Sequence, residues 1–189
     1  MSLTEPMTPT ATLDPDGGPT TRQRLVRAAV VVMIAGFAAF WIWALFFASK
    51  EAVNRIGDRG WAARAEAICV RAEAEREALT DLRTLEQPTP ADIAERAGLV
   101  DAATDVLERM LDDVVAVEPS DPRGREIVPM WEADYRTWLE DRRRYADELR
   151  EAGTNLAFYE TSIGIPISEK VATFAGDNEM PACTPPTDL

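Results

Sequence analysis

The sequence predicts an all-α protein: a single transmembrane helix followed by an extracytoplasmic antiparallel bundle of three long helices and short C-terminal ones, tied by one disulfide. Three observations carry this reading. Residues 28–49 run for 22 positions without a charge. Beyond them, apolar residues recur at helical spacing through three long stretches, and no stretch of any length alternates as a strand would. Two cysteines, Cys69 and Cys183, lie at opposite ends of that helical region.

Residues 1–21 are rich in Pro, Thr, Gly and Asp and have no periodic apolar pattern, the composition of a disordered cytoplasmic tail. Residues 22–49 form the span. At ~1.5 Å rise per residue such a helix crosses the ~30 Å hydrocarbon core. It is apolar on every face, unlike an amphipathic core helix. Its length exceeds the apolar run of a cleaved signal, and Phe46 stands where a cleavage site before Ala48 needs a small residue, so it reads as a retained signal anchor.

Arg22, Arg24 and Arg27 precede the span; Lys50, Arg55 and Arg59 follow it, so the count of flanking charge is even. The tight packing of the three arginines against the span, the short N-terminal tail and the cysteines beyond it favour N-terminus in and domain out. Trp41, Trp43, Phe46 and Phe47, with Phe40, gather at the outer end as interface anchors in the lipid bilayer. Ala35, Gly36 and Ala39 form a small-residue patch one to two turns earlier, a candidate contact for another transmembrane helix.

The next 129 positions, 50–178, read as the extracytoplasmic helical domain. A first helix is expected from Lys50 to about Leu85, running on from the span, with Trp61, Ala65, Ile68, Ala72, Leu79 and Leu82 on one face and Glu75 interrupting it. Thr89-Pro90 with Asp92 is the start signal of a second helix. Its stripe is Ile93, Ala97, Val100, Thr104, Leu107, Leu111 and Val114, and the segment around Pro119–Gly124 ends it. A third helix is expected from about Arg125 to Glu151, closed by Gly153. Its stripe is Val128, Trp131, Tyr135, Trp138, Arg142, Tyr145 and Leu149. Residues 154–163 read as a short helix. Ser168 is the expected cap of a last one through about Gly176. Residues 179–189 read as a tail held by the disulfide.

Composition excludes several function classes. The chain carries 33 acids against 20 bases, and before residue 50 the charges cancel, so the whole excess of 13 negative charges lies in residues 50–189. Such a surface repels nucleic acid. There is no histidine, which removes imidazole general bases, histidine-activated nucleophiles and nearly all zinc sites. Lysine occurs only at Lys50 and Lys170 while Ala, Arg, Glu and Asp abound, the bias of a GC-rich bacterial genome. Asp112-Asp113 and Asp177-Asn178-Glu179 lack calcium-loop spacing. Outside the cytoplasm an even pair of cysteines reads as a Cys69–Cys183 bridge.

Trp131, Tyr135, Trp138, Arg142 and Tyr145 have two readings: a core stripe facing small residues such as Ala65 and Ala72, or the lining of a pocket or partner anchor. Arg142-Arg143-Arg144 is bracketed by acids and reads as a solvated, internally paired face. No cofactor or catalytic motif is present. The expected function is a non-catalytic envelope protein, an accessory or scaffold subunit contacting another membrane or envelope protein. The alternative is an extracytoplasmic module for a small apolar or aromatic ligand. A concave pocket at Trp138 would favour the alternative; an exposed apolar patch would favour contact with protein.

Overall fold

The computed structural model describes residues 21–47, 52–79 and 88–188. The chain divides into two units, Met1–Lys50 and Glu51–Leu189. In the first, helix α1 (Thr21–Phe46) buries no residue. Among the described residues it is the one helix long and apolar enough to cross a membrane. The expected tail, apart from Thr21, and the last residues of the expected span lie outside the described residues.

The second unit contains α2 (Arg59–Glu77), α3 (Pro90–Val115), α4 (Pro122–Ala152) and α5 (Ile167–Asp177). A two-residue antiparallel ladder joins β1 (Ser162–Ile163) to β2 (Ile165–Pro166), and a 3-10 turn covers Pro181–Cys183. Cys69 and Cys183 are bonded, with Cα atoms 5.1 Å apart.

Helix α2 starts at Arg59, and the expected start at Lys50 is corrected. Asp58 caps it, its carboxylate accepting from the Trp61 N–H at 2.8 Å. Residues 52–58 spend their backbone groups elsewhere. The Asn54 N–H donates to Asp177, the Ile56 N–H to the Asn178 side chain, and the Asp58 N–H to Asp121. Asn178 Nδ2 donates back to the Asn54 carbonyl. This segment is therefore laced to the start of α4 and the end of α5 instead of continuing a helix. Within α2 the buried face is Trp61, Ala62, Ala65, Cys69 and Ala72. Cys69 takes the place expected for Ile68, which is only partly buried. Helix α2 ends at Glu77 with Ala78 as its C-cap, short of the expected Leu85, and Leu82 lies outside the described residues.

Helix α3 opens on a capping box between Thr89 and Asp92 with Pro90 in its first turn, and every residue of its predicted stripe is buried. Helix α4 begins at Pro122, ahead of the expected Arg125, because Asp121 caps it through the Gly124 N–H at 3.0 Å. Gly153 ends it in the left-handed region, at φ 62°. The whole predicted α4 stripe is buried as well. Arg136 meets Asp112, Arg143 meets Asp105 and Arg150 meets Asp101, so α3 and α4 run in opposite directions.

Residues 154–161 form no helix, contrary to expectation. Tyr145 donates to the Leu156 carbonyl, and the buried Asp141 carboxylate accepts from both the N–H and the hydroxyl of Thr161. Side-chain bonds of this kind compete with the helical ladder. Ser168 is not the cap of α5; instead the Glu160 carboxylate accepts from the Ser168 N–H and hydroxyl at 2.7 and 2.8 Å.

Two apolar clusters fill the domain. The larger joins Ile56, α2, the C-terminal half of α3, the N-terminal half of α4, α5 and Cys183. The smaller comprises Ile93, Ala97, Val100, Tyr145, Ala146 and Leu149. Phe158 packs against both.

Candidate functional site

The sequence points to three candidate regions. The first lies on α1. Ala35, Gly36 and Ala39 are exposed, and a Cβ added at Gly36 meets nothing within 4 Å. Trp41, Trp43, Phe46 and Phe47 are all exposed, the last two by about three-quarters. In water such a surface would be costly, at roughly 25 cal/mol per Å² of apolar area.

The second is the aromatic stripe of α4, which the structure brings together as core. Trp131, Tyr135, Trp138, Arg142 and Tyr145 are each at most 3% exposed. Trp131 stacks on Phe174 at 5.2 Å and meets Trp61 and Tyr135 edge-on. Tyr135 meets Trp138 edge-on at 5.8 Å. A groove of about 330 Å³ lies between α2 and α3, lined by Ile68, Ala72, Val106 and Met110 together with charged side chains, and none of these aromatics borders it.

The third is the arginine run, and its three members separate. Arg144 is half-exposed and bonds to Asp141. Arg143 leaves its own helix. It reaches Asp101, Asp105 and Glu108 on α3, and those hydrogen bonds, working against the cost of burial, raise its pKa. Arg143 thus pairs across to α3 although Asp147 stands four residues along its own helix, and Arg136 pairs both with Glu132 on α4 and with Asp112 on α3. A readable signal lay here. Arg136, Arg143 and Arg150 repeat every seven residues, and Asp101, Asp105, Glu108 and Asp112 line the facing helix at spacings of 4, 3 and 4.

Arg142 is fully buried. Its Nε donates to Thr104 Oγ1 at 3.0 Å. Its Nη1 and Nη2 donate to the two carboxylate oxygens of Asp188 at 2.7 and 3.3 Å. The guanidinium carbon lies 4.9 Å from the centre of the Trp138 ring. Arg76 adds a second cation to the same carboxylate at 3.2 Å. Burial pushes the Asp188 carboxyl up, but the hydrogen bond and charge of Arg142, with the charge of Arg76, outweigh it and hold the group below the ordinary carboxylate range. Tyr135 lies within electrostatic reach of all three, and its buried hydroxyl has no hydrogen-bond partner among the described residues. Burial drives that hydroxyl well above the usual tyrosine range, against the charges of Arg142 and Arg76. Sequence reasoning missed Asp188 because no periodicity connects positions 46 residues apart.

No family model, curated protein or solved structure matches this chain. Its functional reading rests on chemistry alone. Among the described residues no group of three or more Cys, Asp or Glu is placed to hold a metal ion. The Asp177–Glu179 run serves the fold: Asp177 and Asn178 hold residues 54–56, and Glu179 pairs with Arg55 and Arg59.

Proposed function

We propose that this chain is a non-catalytic, membrane-anchored envelope protein that acts as an accessory or scaffold subunit through protein–protein contacts. In this reading α1 spans the cell membrane, the N-terminus is cytoplasmic, and the second unit is an antiparallel helical bundle outside the membrane.

The observation that carries the reading is a run of exposed apolar residues on a segment tied to α4 and to the start of α5. Leu156, Tyr159, Ile163 and Ile165 are 38%, 79%, 70% and 43% exposed and lie within ten consecutive residues. Their segment is fixed at its base by Asp141 on Thr161, Glu160 on Ser168 and Tyr145 on Leu156. A preorganised apolar patch loses little entropy on binding, and such patches mark contact sites. The alternative, a small-molecule module, drew on the α4 aromatics, which are packed against one another instead.

The test is site-specific photocrosslinking in intact cells. A crosslinker at Ile163 is expected to capture a membrane or envelope protein, and one at the exposed Glu148 is not. Equal yields from both positions, or none from Ile163, would refute the contact role. A cysteine at Glu126 is expected to react with membrane-impermeant reagent in whole cells; labelling only after lysis would reverse the topology.

A further inference from the structure

The geometry points to a carboxylate-binding site built from Arg142 and Arg76, with Thr104, Trp138 and Tyr135 around them, which the chain's own Asp188 fills as an internal ligand and from which an acidic peptide of a partner displaces it. The source of that peptide rests on the contact role above; the site itself does not.

A guanidinium with its Nε bonded to a buried hydroxyl and its face on an indole presents only its two outer nitrogens, the fork that recognises a carboxylate. Its side chain has no exposure, whereas that of Asp188 retains 22%. The aspartate is therefore the outer wall of the site, and lifting it uncovers the fork. Arg76, 14% exposed, stands at the rim. The Tyr135 ring meets the same Trp138 indole edge-on, and its buried hydroxyl has no hydrogen-bond partner among the described residues. This is a built recognition site, not a surface pair.

The internal ligand is held by a short leash. Cys183 is bonded to α2, and only Thr184, Pro185, Pro186 and Thr187 separate it from Asp188. A short tether of this kind gives an effective concentration in the mM range. A competing peptide therefore faces millimolar internal competition, and removing the internal carboxylate should strengthen its apparent binding by about one plus the ratio of that concentration to the site's own Kd, roughly tenfold for a Kd of about 0.1 mM.

The experiment uses the full chain in detergent micelles and a labelled, end-blocked TPPTD peptide, whose aspartate is its sole carboxylate, read by anisotropy. Asp188→Asn is expected to bind it roughly tenfold more tightly than the unaltered chain. Adding Arg76→Gln, a rim change that spares the buried core, should weaken that binding, and a TPPTN peptide should not bind. Acetate in competition distinguishes the sources: displacement assigns the site to any carboxylate, and failure to displace assigns it to acidic peptides. Equal binding by both proteins, equal binding of both peptides, or no binding to Asp188→Asn would overturn the site. Peptide binding without a crosslinked partner at Ile163 would leave the site standing and remove the contact role.

Discussion

Breaking the Cys69–Cys183 bond, which lies within the larger apolar cluster, should cost the domain a large share of its stability. The two residues are 114 positions apart. In the chain-entropy model a loop of that length contributes roughly 5 kcal/mol, by restricting the unfolded chain. Both cysteines are fully buried, so the folded state also loses packing if the side chains are changed. For a domain of this size roughly 5 kcal/mol corresponds to a melting-temperature drop of roughly 15–20 °C. Circular dichroism melts with and without a phosphine reductant measure it, and reduction isolates the covalent term because the sulfur atoms stay in place. Cys69→Ser with Cys183→Ser should fall at least as far. The reduced protein should also become more open to protease in residues 184–188, which are then tied down by the Ala182 N–H on Glu66 and by Asp188 on Arg142 and Arg76. A reduced protein melting within about 5 °C of the oxidised one would show that the entropic account fails here.

Thr104→Val keeps shape but strips the buried Arg142 Nε of its acceptor, so denaturant unfolding should register a loss of roughly 1–3 kcal/mol; a neutral result would mean that water or relaxation replaces the bond. Gly124→Ala places a Cβ within 2.6 Å of the Asp121 carboxylate and 2.7 Å of the Pro119 ring. Its expected cost is roughly 1–3 kcal/mol, read in the same assay, and wild-type stability would refute the clash. Asp58 is depressed from 3.8 to about 2, chiefly by the Ser120 N–H and hydroxyl and the Trp61 N–H, and Asp188 is depressed as well. A lowered folded-state pKa contributes stability above the unfolded value near 4, lost as pH falls through the folded value. Stability should therefore drop between about pH 4 and pH 2, with a shallower slope in Asp58→Asn; parallel slopes would remove Asp58 as a source. Finally, Gly36→Leu with Ala39→Leu should lower recovery of a membrane complex without preventing insertion, and unchanged recovery would discard the small-residue patch.

The sequence made the long helices legible where packing repeats with the helix. In α3 and α4 every predicted stripe residue is buried, and even Arg142 was placed on the right face. The starts of α2 and α4 were readable too. Asp58 and Asp121-Pro122 are ordinary start signals, but a glycine-containing neighbourhood and a proline-rich loop masked them. What periodicity cannot carry is the choice between partners. Arg143 has Asp147 at helical spacing, yet three acids on the facing helix win because together they surround the guanidinium. The segment around Tyr159 was harder still. Its shape follows from side chains on α4 and from Glu160 bonding to backbone groups, and no local pattern announces such bonds.

The placement of Arg142 and Thr104 between the two apolar clusters has a consequence for how α4 finds its alignment along α3. The surface arginines recur every seven residues, so sliding one helix past the other by a heptad would offer them acids again. The same slide would set Arg142 against Ala97 or Leu111, both fully buried and without an acceptor. A buried guanidinium whose Nε loses its acceptor costs roughly 1–3 kcal/mol. The repeating surface charges thus permit several alignments, and one non-repeating polar layer inside selects among them.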